Sequence, residues 1–501
     1  MRGALLAVLF NSLDYVLFLP IVVAGFYLLP QRCRAAGLLA ASYAFFAAWQ
    51  VELILLLAAS TLVDYGVGRR MAALPDRRGR GPYLLFSLAV NLGLLFTFKY
   101  AGFASVNLGL LCTAFELSID VPRVSLPLPI GISFYTFQTL SYTIDVYRGR
   151  SSAERRLDRF ALYVAFFPQL VAGPIERSGK LLPQLDALRG ADWVAMRNGL
   201  WLITWGFFKK LVVADRLAVY VDAVYGAPEE ASGRAVVLAS CMFAYQDYCD
   251  FSGYTDIALG TAGLLGVRLS PNFNRPFAAR DVQEFWQRWH MTLTRWVMDY
   301  VYTPLARGTR RGLPRAPAIL ITFCVLGVWH GAGWNFLLFG VYAGVAFLVG
   351  YLRRRWGLRL RDVLARPELA RRPVVRALLP LHRGLQRVAV FGLFAGACIL
   401  FRAESLEDIG TLLSRLARDG LTGRVLPAAL PTRGRWAYEL TLAGAAIGVI
   451  EFTQWLHDRR SFSRRARSTP LVFRWSLAYA LIFAILMFAE LGRRPFIYFQ
   501  F

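Results

Sequence analysis

Apolar stretches recur along the whole chain and are separated by short segments that are rich in arginine. A helix that crosses a bilayer needs about 20 mostly apolar residues, and many of the stretches approach that length. They predict membrane segments near residues 5–29, 35–50, 51–68, 82–99, 101–116, 126–146, 157–173, 198–222, 235–266, 316–334, 335–352, 385–401, 437–454 and 471–490. Some are short enough to be re-entrant or interfacial, so we expect about 11 to 13 crossings in one integral domain, residues 1–501.

The composition supports this class, because 56% of the 501 residues are hydrophobic and the mean hydropathy is +0.44. A net charge of +25 would also suit a nucleic-acid binder. The arginines, however, cluster between apolar runs, which is typical of the positive-inside rule, so we expect membrane lipids and no nucleic acid as partners. The six cysteines are scattered without a C-x-x-C pair, which predicts neither a disulfide framework nor a metal site.

The arginine clusters also predict the topology. Three segments are strongly basic and are placed in the cytoplasm by the positive-inside rule: residues 69–80, 353–387 and 459–467. Residues 402–435 balance arginine with carboxylates and are the best candidate for an outside loop. The last span, 471–490, then runs outward and places the tail, residues 492–501, on the far side. Only Arg2 precedes the first apolar run, and no clear cleavage site follows it, so we expect a retained first span.

One histidine lies deep inside an apolar run. The motif Val328-Trp-His330-Gly-Ala-Gly-Trp-Asn335 interrupts the stretch 316–352, whose ends are both basic. This pattern predicts a hairpin of two spans that turns near Gly331–Gly333. His330 would then lie about 14 residues, or roughly 20 Å, into the bilayer. A histidine at that depth is costly unless it is paired or used, so packing against a neighbouring helix and a chemical role both remain open.

A second histidine follows a helix-start signal, in which Asp281 and Glu284 fit a capping box. The residues that follow predict one helix with three faces. The charged face, supported by pairs one turn apart, comprises Glu284, Arg288, Arg295 and Asp299. The aromatic stripe comprises Phe285, Trp289, Leu293, Trp296 and Tyr300. His290 shares the third face with Trp286, Thr294, Val297 and Val301. We expect the helix at the cytoplasmic surface with His290 facing inward, as a reacting group or as a structural support.

Polar residues interrupt three further apolar stretches: 129–148, 167–177 and 245–256. Proline and glycine in the first two predict broken helices around a protein-enclosed or wet cavity. Asp247, Asp250 and Asp256 in the third need partners or water. Each residue alone has a structural explanation, but together they indicate an internal polar chamber, which suits an enzyme or a transporter.

Six segments together resemble the membrane-bound O-acyltransferase (MBOAT) family. In chain order they are Pro129-Ile-Gly-Ile-Ser-Phe-Tyr-Thr-Phe-Gln138, Phe166-Phe-Pro-Gln-Leu-Val-Ala-Gly-Pro-Ile175, Asp250-Phe-Ser-Gly-Tyr-Thr-Asp256, Asn272-Phe-Asn-Arg-Pro-Phe277, Phe285-Trp-Gln-Arg-Trp-His290 and Trp329-His330-Gly-Ala-Gly-Trp334. Within the family, the chain is similar to the bacterial branch of alginate O-acetyltransferase proteins and relatives. The resemblance covers a motif-bearing core, residues 10–350, and the C-terminal tail.

The resemblance implies an all-α membrane protein, in which a ring of helices with re-entrant and interfacial members surrounds a central tunnel. His330 matches the catalytic histidine of the family, and His290 matches its second motif histidine. The implied acyl donor is a thioester, acetyl-CoA in this branch, with no bound cofactor. The resemblance also implies the cell inner membrane and a periplasmic acetyltransferase or polymer-acetylation partner. Further polar candidates for the motifs and tunnel are Gln138, Asp250, Ser252, Tyr254, Asp256, Trp329 and Asn335.

The tail Phe496-Ile-Tyr-Phe-Gln-Phe501 resembles a C-terminal motif of the same branch. There the tyrosine is thought to accept the acyl group in relay, which makes Tyr498 a candidate acceptor in a periplasmic tail. An interfacial aromatic anchor is the alternative explanation for Tyr498.

The chemistry of acyl transfer fits these candidates. A thioester is activated but a hydroxyl is a weak nucleophile, and a histidine with a pKa near 6.5 can accept its proton. An apolar tunnel would also exclude water that hydrolyses the donor. We therefore expect O-acetylation of an extracellular polysaccharide such as alginate, with His330 as the general base. The alternatives are a D-alanyl or lipid acyltransferase of the same family, or a transporter without acyl chemistry.

Overall fold

The computed structural model describes residues 10–49, 51–188, 190–307, 313–355, 373–426, 436–458, 470–490 and 494–499. Throughout these ranges the regular secondary structure is helical, which confirms the predicted all-α class. The start of the chain, residues 356–372 of the basic segment 353–387 and all of the basic segment 459–467 lie outside the described residues, as does part of the loop 402–435.

The helices follow the predicted apolar stretches. In the first half they are Leu13–Leu28, Arg34–Ala47, Leu53–Ala72, Arg77–Leu95, Ala101–Ala114, Ile132–Tyr147, Leu157–Ala165, Phe167–Leu170, Ser178–Asp186, Trp193–Phe207, Asp215–Tyr225 and Gly233–Leu264. In the second half they are Val282–Trp286, Met291–Val297, Thr303–Arg307, Arg315–His330, Trp334–Arg355, Pro373–Arg402, Leu406–Asp419, Trp436–Asp458 and Leu471–Phe488. Three π-helical turns, Phe96–Tyr100, Phe208–Ala214 and Met298–Tyr302, lie within longer helical stretches.

Three of the described helices are long and apolar enough to cross a membrane: Arg77–Ala114, Trp334–Arg355 and Leu379–Arg402. Shorter apolar helices are Leu13–Leu28, Arg315–His330 and Val472–Phe488. The expectation of two separate segments near 82–99 and 101–116 is wrong, because the π turn Phe96–Tyr100 joins them into one helical stretch. A π turn adds a residue without breaking the helix. The total of 11 to 13 crossings stays a prediction.

The chain forms two compact units. The first comprises Met1–Phe207, Gly253–Pro271 and Arg493–Phe501, and the second comprises Phe208–Ser252 and Asn272–Gly492. In the first unit, helix Trp193–Phe207 packs closely on the end of helix Gly233–Leu264. A Cβ added at Gly206 would lie 2.5 Å from the carbonyl oxygen of Gly253, so only glycine permits this approach.

The predicted broken helices are present in the first unit. Gly131, with φ of 78°, precedes helix Ile132–Tyr147, and a Cβ there would lie 2.8 Å from the carbonyl oxygen of Leu170. Helix Leu157–Ala165 stops at Phe166 and a single short turn, Phe167–Leu170, follows it. The glycine and proline positions therefore allow backbone from two motif segments to meet.

In the second unit, helices Arg315–His330 and Trp334–Arg355 form the predicted hairpin, here named the His330 hairpin. Its helices touch backbone to backbone, because a Cβ at Gly327 would lie 2.3 Å from the carbonyl oxygen of Phe336. A Cβ at Gly340 would lie 2.5 Å from the carbonyl oxygen of Phe323. Small residues at such contacts let two membrane helices pack without an intervening side-chain layer.

Candidate active site

His330 is the last residue of its helix and lies at the turn of the His330 hairpin. Gly331 follows with φ of −161° and ψ of 160°, which ends the helix abruptly. A Cβ at Gly331 would lie 2.1 Å from the Phe336 ring, so the turn depends on this glycine. Asn335 Nδ2 donates a hydrogen bond of 3.0 Å to the carbonyl oxygen of Ala403, which ties the turn to the chain that follows helix Pro373–Arg402.

The surroundings of His330 are aromatic. Its ring centroid lies 5.0 Å from that of Trp329, 5.7 Å from Phe339 and 5.2 Å from Phe401, each in an edge-to-face arrangement. Only 8% of His330 is exposed. The three rings thus orient the imidazole in a largely apolar pocket. Such a pocket excludes water from the reacting groups.

His290 lies on an unusual backbone. Its φ of 39° and ψ of 56° are left-handed, a conformation that non-glycine residues rarely adopt. The short helix before it is not continuous with the helix after it: Val282–Trp286 ends, four residues turn, and Met291–Val297 begins. The prediction of one continuous three-faced helix is therefore wrong. Left-handed residues commonly cost of order 1–3 kcal/mol and tend to cluster at functional sites.

A distant loop stabilises this break. Met291 N donates to the carbonyl oxygen of Asn272 at 2.8 Å, and Thr292 Oγ1 donates to Asn272 Oδ1 at 2.6 Å. Asn274 N donates to the carbonyl oxygen of Arg288 at 2.9 Å. These long-range bonds satisfy backbone groups that a continuous helix would have paired internally, which is why local periodicity missed the turn.

Several details of the sequence prediction for this segment are confirmed. Asp281 Oδ1 accepts a hydrogen bond from Glu284 N at 2.8 Å, and Glu284 forms an ion pair of 2.8 Å with Arg288. The Glu284 carboxylate accepts from Arg280 N rather than from the capping residue, so only half of the capping box forms. The aromatic stripe is buried, and His290, at 1% exposure, faces inward as expected.

The two histidines meet around one tryptophan. The His290 ring lies 6.0 Å from that of Trp329, and Trp329 lies 5.0 Å from His330. Phe251 packs edge-on against His290 at 4.6 Å. Burial lowers the pKa of His290 to about 3, because desolvation penalises the imidazolium. His290 is therefore neutral at physiological pH and can act by orientation and hydrogen bonding, not as a cation.

An apolar cavity of about 190 Å³ lies between this segment and the His330 hairpin. Its walls include Trp286, Thr294 and Val297, three of the residues predicted to share a face with His290. The hairpin contributes Leu326, one turn before His330, and Tyr351 near the basic end of the second helix. The cavity thus extends beside the hairpin from its basic end toward the histidine.

Asp250 belongs to a buried ion cluster. Lys210 Nζ lies 2.6 Å from Asp250 Oδ1 and 2.8 Å from Asp215 Oδ1, and all three side chains are almost fully buried. The prediction that Asp250 needs a partner is confirmed. Lys210 and Asp215 were not predicted as partners, although two adjacent lysines in the apolar stretch 198–222 are a usable signal.

Ser252 is buried two residues after Asp250, and its Oγ makes no hydrogen bond within the described ranges. Together with His290, Trp329, His330, Asn335 and Asp250, it lies in the second unit. Phe251 lies between Asp250 and Ser252 in the chain and contacts His290. The motif Asp250–Asp256 therefore contacts the histidine cluster through the Phe251 ring.

The other candidates lie in the first unit. Gln138 Nε2 donates to the carbonyl oxygen of Tyr163 at 2.6 Å, and Tyr254 Oη accepts from Ala172 N at 3.2 Å. The first bond ties a motif segment to helix Leu157–Ala165 and the second joins two motif segments, so both support a structural role. Asp256 is half-buried. Tyr498 is half-buried in the short turn Ile497–Phe499, with its ring 6.5 Å from that of Phe134.

The tail is docked by an adjacent aromatic residue. The Phe496 ring packs edge-on against Tyr254 at 4.8 Å, and Tyr254 stacks on Phe10 at 4.6 Å. Phe496 is 1% exposed, whereas Tyr498 keeps part of its surface open. Phe496 therefore anchors the tail, and Tyr498 is the less buried of the two aromatic residues.

Comparison with known proteins places this cluster in a family context. Residues 132–360, which include both histidines, match the family model described as MBOAT, membrane-bound O-acyltransferase family. The chain is 36% identical to a probable alginate O-acetylase of Azotobacter vinelandii, over 78% of this chain and 74% of the relative. It is 32% identical to a probable alginate O-acetylase of Pseudomonas putida, over 97% and 98%. It is also 31% identical to a peptidoglycan O-acetyltransferase of Helicobacter pylori, over 71% and 74%.

Proposed function

Because the chain belongs to the membrane-bound O-acyltransferase family and is an O-acyltransferase of the membrane, we propose that it takes an acetyl group from acetyl-CoA on the cytoplasmic side. The acetyl group then serves the O-acetylation of an extracellular polysaccharide. The observation that carries this proposal is the His290–Trp329–His330 cluster, in which two buried histidines flank one indole inside the family-matched region.

His330 acts as the general base. One ring nitrogen accepts the proton of the acceptor hydroxyl while the hydroxyl oxygen attacks the thioester carbonyl. The carbon–sulfur bond breaks, the leaving thiolate takes the proton back from the imidazolium, and an ester and a free thiol result. The three rings around His330 hold the imidazole in one orientation and exclude water, which protects the thioester from hydrolysis.

The apolar cavity beside the hairpin supports entry of the donor from the basic end. Its walls reach from Tyr351, whose hydroxyl accepts a hydrogen bond from Arg315 at 3.2 Å, to Leu326. A volume of about 190 Å³ accommodates a slender apolar or amide chain but not a nucleotide. The thioester arm enters this cavity, and the nucleotide of the donor stays at the basic mouth.

His290 is a positioning residue. Its ring packs against Trp329, and the residue after it, Met291, donates a backbone hydrogen bond to Asn272 that holds the left-handed turn. Removing the imidazole therefore changes the orientation of Trp329 and lowers kcat, while the donor still binds.

Tyr498 is the proposed first acceptor. The tyrosyl ester passes the acetyl group to a partner acetyltransferase in the periplasm, which places the C-terminus outside and the protein in the inner membrane. The half-buried Tyr498 beside Phe134, and the neighbouring anchor Phe496, support a tail that is docked without complete burial of its tyrosine.

Polysaccharide is the proposed final acceptor because the relatives named above are O-acetylases of alginate and of peptidoglycan, which are both glycans. Acetyl transfer in the names of these relatives favours an acetyl donor over the D-alanyl and lipid alternatives. An acyl donor and a polymer substrate follow from O-acetylation itself, and the identity of the partner protein belongs to the proposal.

The test uses membranes that contain the full chain, labelled acetyl-CoA and the intact polymer. We expect His330→Ala to lower acetyl transfer by about 10²–10⁴-fold, because a positioned base is lost. Val328→Ala, on the lipid-facing side of the same helix at 39% exposure, serves as the matched control and retains activity. Normal transfer by His330→Ala protein that accumulates in the membrane would refute the role of the base.

The relay is tested separately. Tyr498→Phe removes only the acceptor oxygen and keeps the ring, and we expect it to abolish label on the protein and on the polymer. Tyr479→Phe, an exposed tyrosine in helix Leu471–Phe488, is the control and retains both. Retained polymer acetylation in Tyr498→Phe would mean that the tail docks a partner without carrying the acyl group.

A further inference from the structure

We propose that a groove on the second unit binds an anionic phospholipid. The groove has a volume of about 350 Å³ and lies between helix Trp334–Arg355, helix Pro373–Arg402 and residues 280–282. It shares no lining residue with the histidine cluster, so it is a site in addition to the one that performs acyl transfer.

One end of the groove is polar and cationic. Arg280, Arg353 and His382 line it, together with Gln386 and one carboxylate, Asp281. Asp281 caps the helix that begins at Val282, through a bond of 2.8 Å from Glu284 N. Its one negative charge faces two guanidinium groups, so the net charge of this end is positive. Arginine forks match phosphate oxygens in geometry as well as in charge.

Two polar atoms at this end point to a missing ligand. His382 Nε2 and Gln386 Oε1 are both buried, and neither makes a hydrogen bond to any residue within the described ranges. Buried polar atoms in folded proteins are nearly always paired, so a bound group with both donor and acceptor capacity accounts for them. A phosphodiester with a hydroxylated headgroup has both.

The other end of the groove is apolar. The two long helices run antiparallel, since Tyr342 Oη donates to the carbonyl oxygen of Leu393 at 3.0 Å while Arg353 and His382 share the polar end. Small side chains at Ala346, Gly350 and Ala389 open the space between the helices. From His382 to Leu393 the groove follows about 16 Å of helix, close to half of the roughly 30 Å hydrocarbon core.

This length and polarity select a lipid over a soluble phosphate. A phosphate at the arginine end would place an attached acyl chain along one leaflet of the bilayer. The basic end is also the end that the positive-inside pattern assigns to the cytoplasm, where anionic lipids concentrate and basic pockets between membrane helices bind their headgroups. A soluble phosphate would leave the apolar half of the groove empty.

The experiment uses the purified full chain in a neutral detergent, titrated with phosphatidylglycerol, phosphatidylcholine or glycerol 3-phosphate. Bound lipid is counted by native mass spectrometry, and the melting midpoint is measured alongside. We expect phosphatidylglycerol to bind and to raise the midpoint, and the other two to do neither at the same concentration. Equal binding of phosphatidylcholine, or binding of glycerol 3-phosphate as tight as that of phosphatidylglycerol, would overturn the lipid assignment.

Variants locate the site. Arg280→Gln with Arg353→Gln weakens phosphatidylglycerol binding about 30-fold, since one basic residue near a membrane surface contributes about fivefold. Arg197→Gln, an exposed arginine of the first unit, leaves it unchanged. Gly350→Leu narrows the groove within one turn of Arg353 while keeping both arginines. The nearest atom to a Cβ there is Val282 Cβ at 4.0 Å, so the backbone accepts the change. Unchanged affinity in both the double variant and Gly350→Leu would refute the groove as the site.

Discussion

Replacing Gly327 with alanine tests whether the close packing of the His330 hairpin positions the base. The added Cβ would lie 2.3 Å from the carbonyl oxygen of Phe336 and 2.9 Å from the Cα of Gly340. Since Cβ contacts under 3.0 Å essentially never occur, the two helices must separate by at least about 0.7 Å at this point. Both obstructing atoms belong to the backbone, so no side chain can rotate away to relieve the contact.

The separation acts on His330 directly, because Gly327 lies less than one turn before it on the same helix. Overpacking of this kind costs about 1–3 kcal/mol of stability. A misplacement of about 1 Å in a reacting group costs on the order of 10²-fold in rate. We therefore expect a loss of kcat much larger than the modest fall in the melting midpoint, with KM for the donor changed little.

The assay combines acetyl transfer by purified protein with its melting midpoint in the same detergent. Gly392→Ala is the matched control, since no atom lies within 4 Å of a Cβ added there. It should retain activity and be neutral or slightly stabilising, because alanine restricts the unfolded chain. Gly327→Ala protein with wild-type kcat would show that the backbone contact does not position the base.

Three other measurements follow from the structure. Burial keeps the pKa of His290 near 3 in the folded protein, against about 6.5 in the unfolded chain. The contribution of the neutral imidazole to stability is therefore complete above about pH 6.5 and is lost as the pH falls toward 3. His290→Asn should flatten the decline of the melting midpoint between pH 6.5 and 4. Lys210→Met should cost about 3–5 kcal/mol and reduce membrane accumulation, because it removes the cation of the ion pairs with two buried carboxylates. Lys180→Met, at a side chain 46% exposed, should have little effect. Asn335→Ala should cost about 1–3 kcal/mol because the carbonyl of Ala403 loses its donor, and Asn335→Asp, which offers no amide donor, should not rescue the melting midpoint.

The sequence predicted the individual elements of this site better than the tertiary contacts between them. The hairpin, its turn at Gly331–Gly333 and the burial of both histidines followed from apolar length, flanking arginines and glycine placement, and all three are confirmed. These features are local, since each depends on residues within one or two turns. The roles of His330, His290 and Tyr498 stay predictions that the proposed experiments test.

The break before Met291 shows where the sequence reasoning failed. Helical periodicity predicted a single helix from Asp281 to Val301. Every residue in this segment is compatible with a helix, and the charged pairs have the spacing of one helical turn. The competing hydrogen bonds come from Asn272 and Asn274, which lie outside the periodic window. The pairing of Lys210 with Asp250 was missed for the same reason, as 40 residues separate them.

By itself, the sequence determined that this chain is a helical membrane protein, that a glycine turn joins two apolar helices, and that two histidines lie where histidines are costly. The tertiary structure alone decided that both histidines pack against Trp329, that Lys210 forms ion pairs with two carboxylates, and that Phe496 docks the tail against Tyr254. The physical reason is the range of the interactions. Apolar length and helical periodicity act between near neighbours, whereas ring contacts, buried ion pairs and side-chain caps depend on which distant segments pack together.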